Sequence, residues 1–393
     1  MKLFYKEKFG NRRIIHIFGI KISYKKQSSW NKIEKYILNN LKGIDRTKDK
    51  VLVVIPSDSI EDYENAGYDW LERYYNPKKY FKKVFLLSPI EQGIYEKYGM
   101  NIIGVDDEIY KKTLQLIKPD VVRAYGGYWA TTFAVNNKVE DIPVVCSVHD
   151  KRQELLYKEI IRADCVICMS NAVADLCKKN GVLSDKIRIL PNRINENIFQ
   201  KKFDTEFLRE KFPNSFKYIL FVGRKSPEKN VDTLLKALTV LPDNYKCIFV
   251  GRSHNDDYLK LADELQVQNK CIWIESIKNT DLPYYYSFAD CMCTPSRAEG
   301  FGIVFIEAAA CEAPVITSNI APMNEYFTHN ENAYLIDDYE NPQEIAKAIE
   351  FVCTNKEYAE RIGKNARVMT ERFSHDKVDE MEVNIYKSLI KRK

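Results

Sequence analysis

Ser296–Thr317 reads SRAEGFGIVFIEAAACEAPVIT. Gly300 and Gly302 free the backbone, and an apolar run follows at once. The pattern predicts a helix opening at Ile303, with the strand CMCTPS before it and the strand PVITSN after it. Strand, helix and strand in that order form the unit of a parallel sheet with crossover helices. Two carboxylates interrupt the pattern. Glu299 stands on the loop, and Glu307 lies just over one turn into the helix among Phe305, Ile306 and three alanines. A carboxylate in such company is costly unless it is hydrogen-bonded. A vicinal diol such as a ribose offers two donors to one carboxylate; pairing with a nearby cation is the alternative.

The same alternation runs outward in both directions. KYILFVGR, YKCIFVGR, KCIWIES and NAYLID read as further strands, with VDTLLKALTVL, DYLKLADELQ and LPYYYSFA as helices between them. The first half repeats the scheme in KVLVVIP, KVFLLSP, DVVRAYGG, IPVVCSVHD, DCVICMS and KIRILPN, continuous apolar runs of the kind that parallel strands bury on both faces. The expected fold class is therefore α/β, with two Rossmann-like, doubly wound domains facing across a cleft. The hinge is placed in the polar stretch LPNRINENIFQKKF, residues 190–203. That gives a first domain over 1–195 with a basic leader at 1–47, a second over 196–375, and a charged helix at 376–393 that is long enough to pack back on the first.

Composition bounds the function. Of 393 residues 45% are apolar and 29% charged, normal for a globular chain that needs two cores. No run approaches the eighteen apolar residues of a membrane span, and MKLFYKEKFGNRR lacks a secretory core, so a cytoplasmic protein is expected. Most of the ten cysteines sit in strand-like runs, and the Cys165–Cys168 pair inside ADCVICMS reads as buried core, not as a metal or redox motif. Charge is uneven. Residues 1–200 hold 34 basic and 25 acidic side chains, net +9, and residues 201–393 hold 26 and 30, net −4. Residues 1–50 alone reach +10, which suits an anionic membrane surface or an anionic carrier lipid; a lysine-rich solvated face is the alternative. A nucleic-acid partner is not expected, because no recognition motif accompanies the charge.

Open parallel sheets bind ligands at the carboxyl ends of their strands. There, FVGRKSPEKN offers Gly223 for a close turn and two cations, Arg224 and Lys229, that suit a diphosphate. SVHD places His149 at another strand end, where it can hydrogen-bond a substrate. Backbone amides at the start of the helix after Gly300 and Gly302 can face an anion.

EGFGIVFIE resembles the E-x7-E signature of the retaining glycosyltransferases of family 4, the glycosyl transferases group 1, which have the GT-B fold. FVGRKSPEKNVDTLLKAL resembles their diphosphate-binding segment, and VHD, ADCVICMSNAV and ILPNRIN resemble successive stretches of their first domain. The similarity covers roughly residues 120–375, and the leader looks like that of bacterial surface-polysaccharide transferases. The resemblance implies transfer from a nucleotide-diphosphate sugar, of uridine or guanosine, to a carbohydrate or lipid-linked acceptor hydroxyl. It further implies retention at the anomeric carbon, no metal or other cofactor, and a place in polysaccharide, lipopolysaccharide or capsule synthesis at the inner face of the membrane. By the same resemblance Arg224 and Lys229 hold the diphosphate, Glu307 the ribose and Glu299 the donor sugar. His149 lies near the sugar's other hydroxyls, and the amides of Phe301, Gly302 and Ile303 complete the contacts.

Two positions depart from the family: Glu312 stands where glycine is usual, and Asn192–Arg193 where Asn-Gly is common. Gly67, in ENAGYDW, is the best candidate for the glycine-rich loop after the first strand. No Asp-x-Asp occurs, so the metal motif of the other major transferase fold is absent. The rival is a non-catalytic nucleotide-sugar-binding subunit of the same fold. A dinucleotide oxidoreductase and a P-loop phosphotransferase both lack their glycine motifs.

Overall fold

The structure is a computed structural model. It describes the backbone of three strands before residue 30 and, with side chains, residues 30–65, 67, 71–253 and 257–390. Strands β1 (Phe4–Phe9), β2 (Arg12–Ile17) and β3 (Ile20–Lys25) make an antiparallel sheet in the order β1-β2-β3. The leader thus holds a three-stranded meander followed by the helix Trp30–Leu41. The side chains of its apolar patch IIHIFGI and of its cations before residue 30 lie outside the described residues.

The chain divides into two compact units, one of Met1–Met169, Val173–Leu190 and Asp379–Lys393, the other of Ser170–Ala172 and Pro191–Val378. The first is built on an eight-stranded sheet: β4 (Val51–Ile55), β5 (Lys83–Ser88), β6 (Ile94–Lys97), β7 (Met100–Gly104), β8 (Val121–Tyr125), β9 (Val144–Val148), β10 (Cys165–Cys168) and β11 (Ile187–Ile189). Their order is β11-β10-β9-β8-β4-β5-β7-β6, parallel throughout except that β6 runs against β7. β4, β7, β8 and β9 are buried at every residue, which is why their sequences do not alternate. Arg123, buried in the middle of β8, breaks the apolar rule. Its guanidinium faces Glu382 at 3.6 Å, on the last helix His375–Leu389, and lies 4.4 Å over the Tyr125 ring. On the same helix Asp379, fully buried, accepts from Arg73 Nε at 3.0 Å, and Tyr386 packs on Phe81.

The second unit carries β12 (Lys217–Val222), β13 (Tyr245–Val250), β14 (Cys271–Ile274), β15 (Cys291–Thr294), β16 (Val315–Ser318) and β17 (Tyr334–Ile336), all parallel, in the order β14-β13-β12-β15-β16-β17. Strand order reverses between β12 and β15, so the crevice at their carboxyl ends is the switch point of this sheet. The helix Val231–Val240 buries Val231, Leu234, Leu235 and Leu238, one face at helical spacing, against that sheet.

Cys165 and Cys168 are both buried in β10, and all ten cysteines are free thiols. The two departures from the family differ in kind. Glu312 takes the left-handed φ of +59°, the conformation glycine adopts without strain and other residues at a cost of about 1 kcal/mol. Its carboxylate meets Lys201 at 2.9 Å. Arg193 has no positive φ, so glycine is not required at that position.

Candidate active site

The two loops that leave the switch point of the second sheet meet at the ion pair of Lys229 and Glu299. After β12, Gly223 has a φ of +153°, which glycine alone adopts readily. The chain then makes the tight turn Pro227–Lys229 before the helix Val231–Val240. This brings the Lys229 ammonium to 2.6 Å from Glu299 Oε1, on the loop after β15. The pair is largely dehydrated, with 15% of the lysine side chain and 5% of the glutamate exposed. Ser296 Oγ donates to the same Oε1 at 2.7 Å. Among the described residues Glu299 Oε2 has no hydrogen-bond partner.

Arg224, the other predicted cation, is exposed at the rim and pairs with Glu228 at 3.3 Å. Such a pair is worth at most about 1 kcal/mol, so the guanidinium can leave it for a stronger anion. Beside these groups begins the helix Ile303–Ala310. Gly302, with φ +76°, precedes it, and a Cβ there would stand 2.9 Å from the Phe305 ring. The first turn presents backbone N–H groups without intrahelical acceptors, at the positive end of the helix dipole. Gly300 belongs to the same loop. The Phe301 side chain turns inward, 3% exposed, against Tyr326 and Phe373, so this residue offers the crevice its backbone alone.

Glu307 lies one turn further along, half-buried, and does not touch Glu299 or Lys229. Its partner is the hydroxyl of the buried Tyr286, which donates to Oε2 at 3.4 Å. Among the described residues it makes no ion pair. Dehydration pushes its carboxyl up to about 8, with Tyr286 offsetting part of the rise.

Ser296, Arg297 and Tyr286 were not legible as site residues. Arg297 makes a two-toothed contact with Asp232 at 2.8 and 3.0 Å and another with Glu340 at 2.7 and 2.8 Å. Those partners are 65 and 43 residues away in sequence, and no motif spacing announces them.

In the first unit, the carboxyl ends of β4, β8 and β9 surround a crevice of about 190 Å³, lined by Ser57, Gly126, Tyr128 and His149 among others. His149 Nε2 is 2.7 Å from Ser147 Oγ, and its ring stacks on Tyr125. Burial, then the Arg123 charge, lower its pKa to about 4 against the opposing pull of Glu382 and Asp150, so the imidazole is neutral at pH 7. Gly67 is elsewhere: it sits exposed on a turn after the helix Ile60–Asn65, with nothing within 4 Å of a Cβ built there. The segment that leaves β4 directly is Pro56–Ser59, which holds no glycine.

The sequence profile of the Glycosyltransferase Family 4 matches residues 33–197, and that of the Glycosyl transferases group 1 matches residues 202–369. An uncharacterized glycosyltransferase of Methanocaldococcus jannaschii is 28% identical over 355 residues, covering 83% of this chain and 89% of that protein. The O-antigen chain mannosyltransferase RfbU of Salmonella typhimurium is 32% identical over 202 residues, half of this chain and 54% of that one. The structure of Anabaena HepE in complex with UDP superimposes with a TM-score of 0.73 at 19% identity, covering 86% of this chain and all of that one. The chain is a glycosyltransferase with the GT-B fold. It belongs to family 4, the glycosyl transferases group 1.

Proposed function

We propose that the chain moves a sugar from a nucleoside-diphosphate sugar to an acceptor hydroxyl, with retention at the anomeric carbon and without a metal, in the synthesis of a cell-surface polysaccharide or glycolipid. One observation carries this: the dehydrated Lys229–Glu299 pair at the switch point, with the second oxygen of Glu299 unused. As the bond from the sugar to phosphate breaks, negative charge grows on the diphosphate. Lys229 and the amides around Ile303 stand at the switch point to stabilise it, and Arg224 joins them by leaving Glu228. Glu299 Oε2 accepts from a sugar hydroxyl. The acceptor oxygen attacks from the face the phosphate leaves, and its proton passes to that phosphate. His149, neutral, hydrogen-bonds further hydroxyls of the sugar. The HepE structures with UDP and with UDP-glucose and the likeness to an O-antigen mannosyltransferase support the donor class and the surface-polymer setting. The basic leader supports a lipid-linked acceptor reached from the inner face of an anionic membrane. No described helix is long and apolar enough to cross one.

The test is donor cleavage without acceptor, on a panel of uridine and guanosine diphosphate sugars, with and without EDTA. Release of the diphosphate from one donor, unchanged by EDTA and lost in Glu299→Gln, is the expected result. Silence across the panel, with no donor raising the melting temperature, would turn the assignment toward a non-catalytic subunit. The anomeric configuration of the transferred product, read by NMR, decides retention.

The same reading gives donor binding a pH dependence. Glu307 accepts ribose hydroxyls best as a carboxylate, and its pKa of about 8 leaves it mostly protonated at pH 7. Donor affinity therefore rises with pH up to about 8, by at most roughly tenfold per unit, and levels off above it. Glu307→Gln removes that slope. Isothermal titrations of UDP and GDP across this range check it, and a pH-independent affinity in the natural chain removes Glu307 from the ribose site.

A further inference from the structure

We propose that Arg297 is the positioning residue of this site: its guanidinium fastens the loop bearing Glu299 to the turn bearing Lys229 and so sets where that pair stands against the donor. The inference rests on the assignment of the Lys229–Glu299 pair to the donor.

The hydrogen bonds of Arg297 account for every donor it has. Nε and Nη2 reach the two oxygens of Glu340 at 2.7 and 2.8 Å. Nη1 and Nη2 reach the two oxygens of Asp232 at 2.8 and 3.0 Å. The remaining Nη1 proton goes to the Pro227 carbonyl at 2.7 Å, and Nη2 also lies 3.3 Å from Thr233 Oγ1. A guanidinium has five N–H groups, and all five are engaged. Arg297 is therefore not a third phosphate cation, although it sits two residues from Glu299.

Its partners lie on three separate segments. Pro227 opens the turn that ends in Lys229, Asp232 is in the first turn of the following helix, and Glu340 is on the loop after β17. The backbone adds to the clamp, since the Arg297 N–H donates to the Glu228 carbonyl at 2.8 Å. The two strand-end loops are thus joined twice, once through Arg297 and once through Lys229 and Glu299 themselves. Both acidic partners are held below the usual carboxylate range. Burial opposes this at Asp232 and its bonds to Arg297 outweigh it; at Glu340 the bond to Arg297 is the leading cause.

Partly exposed ion pairs of this kind, with 29% of the Arg297 side chain accessible, contribute little to folding. The effect of the clamp falls on geometry instead. A displacement of about 1 Å in a catalytic group can cost on the order of 10²-fold in rate. Lysine keeps the charge but offers three donors on one atom and cannot span two carboxylates and a carbonyl.

The experiment compares Arg297→Lys, Lys229→Ala and the double variant, using the donor that the panel selects, with melting temperatures measured alongside. Arg297→Lys is expected to lower kcat by ~10–100-fold with donor KM moving less than ~3-fold and the melting temperature within ~3 °C. The double variant is expected within ~3-fold of Lys229→Ala, because the clamp acts through that lysine. A natural kcat in Arg297→Lys beside a crippled Lys229→Ala overturns the proposal, as do additive losses or a loss that tracks unfolding. A natural kcat in Lys229→Ala fails instead the assignment on which the proposal rests.

Discussion

Glu299→Gln transfers sugar at least ~10²-fold more slowly than the natural chain, with its unfolding midpoint little changed. The amide keeps the shape of the carboxylate and can still accept from Ser296 on one side. It loses the charge that orients Lys229, and where its second oxygen would accept from the sugar it presents an N–H pair. Lys229→Ala gives a loss of the same size for a different reason, since the leaving diphosphate then develops its charge without the nearest fixed cation. Lys229→Ala also strips a dehydrated carboxylate of its counter-charge, so its rates are to be read per folded molecule. Initial rates of nucleoside diphosphate release measure both variants, and a folded Glu299→Gln within ~3-fold of the natural rate would take this residue out of the reaction.

The second large effect is on stability, in the other unit. Glu382→Gln lowers the unfolding free energy by ~3–5 kcal/mol. Arg123 and Glu382 are both almost fully buried, 2% and 1% exposed, and Tyr386 donates its hydroxyl to Glu382 at 2.7 Å. Removing the negative charge leaves a guanidinium inside the sheet with the face of Tyr125 as its main remaining partner, worth about 2 kcal/mol. Replacing both partners together, Arg123→Met with Glu382→Leu, restores much of the loss, because two apolar groups of similar volume leave no charge to neutralise. Urea unfolding of the single and double variants decides between these outcomes. Equal losses in the single and double variants would show that the pair matters for packing and not for charge.

The strands were legible because both faces of these sheets are covered. A parallel strand buried twice over reads as an unbroken apolar run, and β4, β8, β9 and β10 stand where such runs fall. β6 and β7 were missed: Ile94–Lys97 is a short edge strand of mixed polarity, and Met100–Gly104 follows it within a stretch rich in turn residues. Lys229 and Glu299 could be picked out because strand ends in such sheets gather ligands. What holds them could not. The clamp of Arg297 on Asp232 and Glu340, the Tyr286 hydroxyl on Glu307 and the burial of Arg123 against Glu382 all join residues far apart in the chain. Arg297, Asp232, Glu340 and Glu382 look, in sequence, like ordinary surface side chains.

The last of these couplings bears on the order in which the molecule can be made. Arg123 leaves the ribosome some 259 residues ahead of Glu382, and the chain between them includes the whole of the second unit. Until the last helix is synthesised, the sheet that is translated first carries an unneutralised cation at its centre. The first half of this protein is therefore begun first and finished last, and a nascent chain stalled or cleaved before residue 379 holds a complete second unit beside an incomplete first.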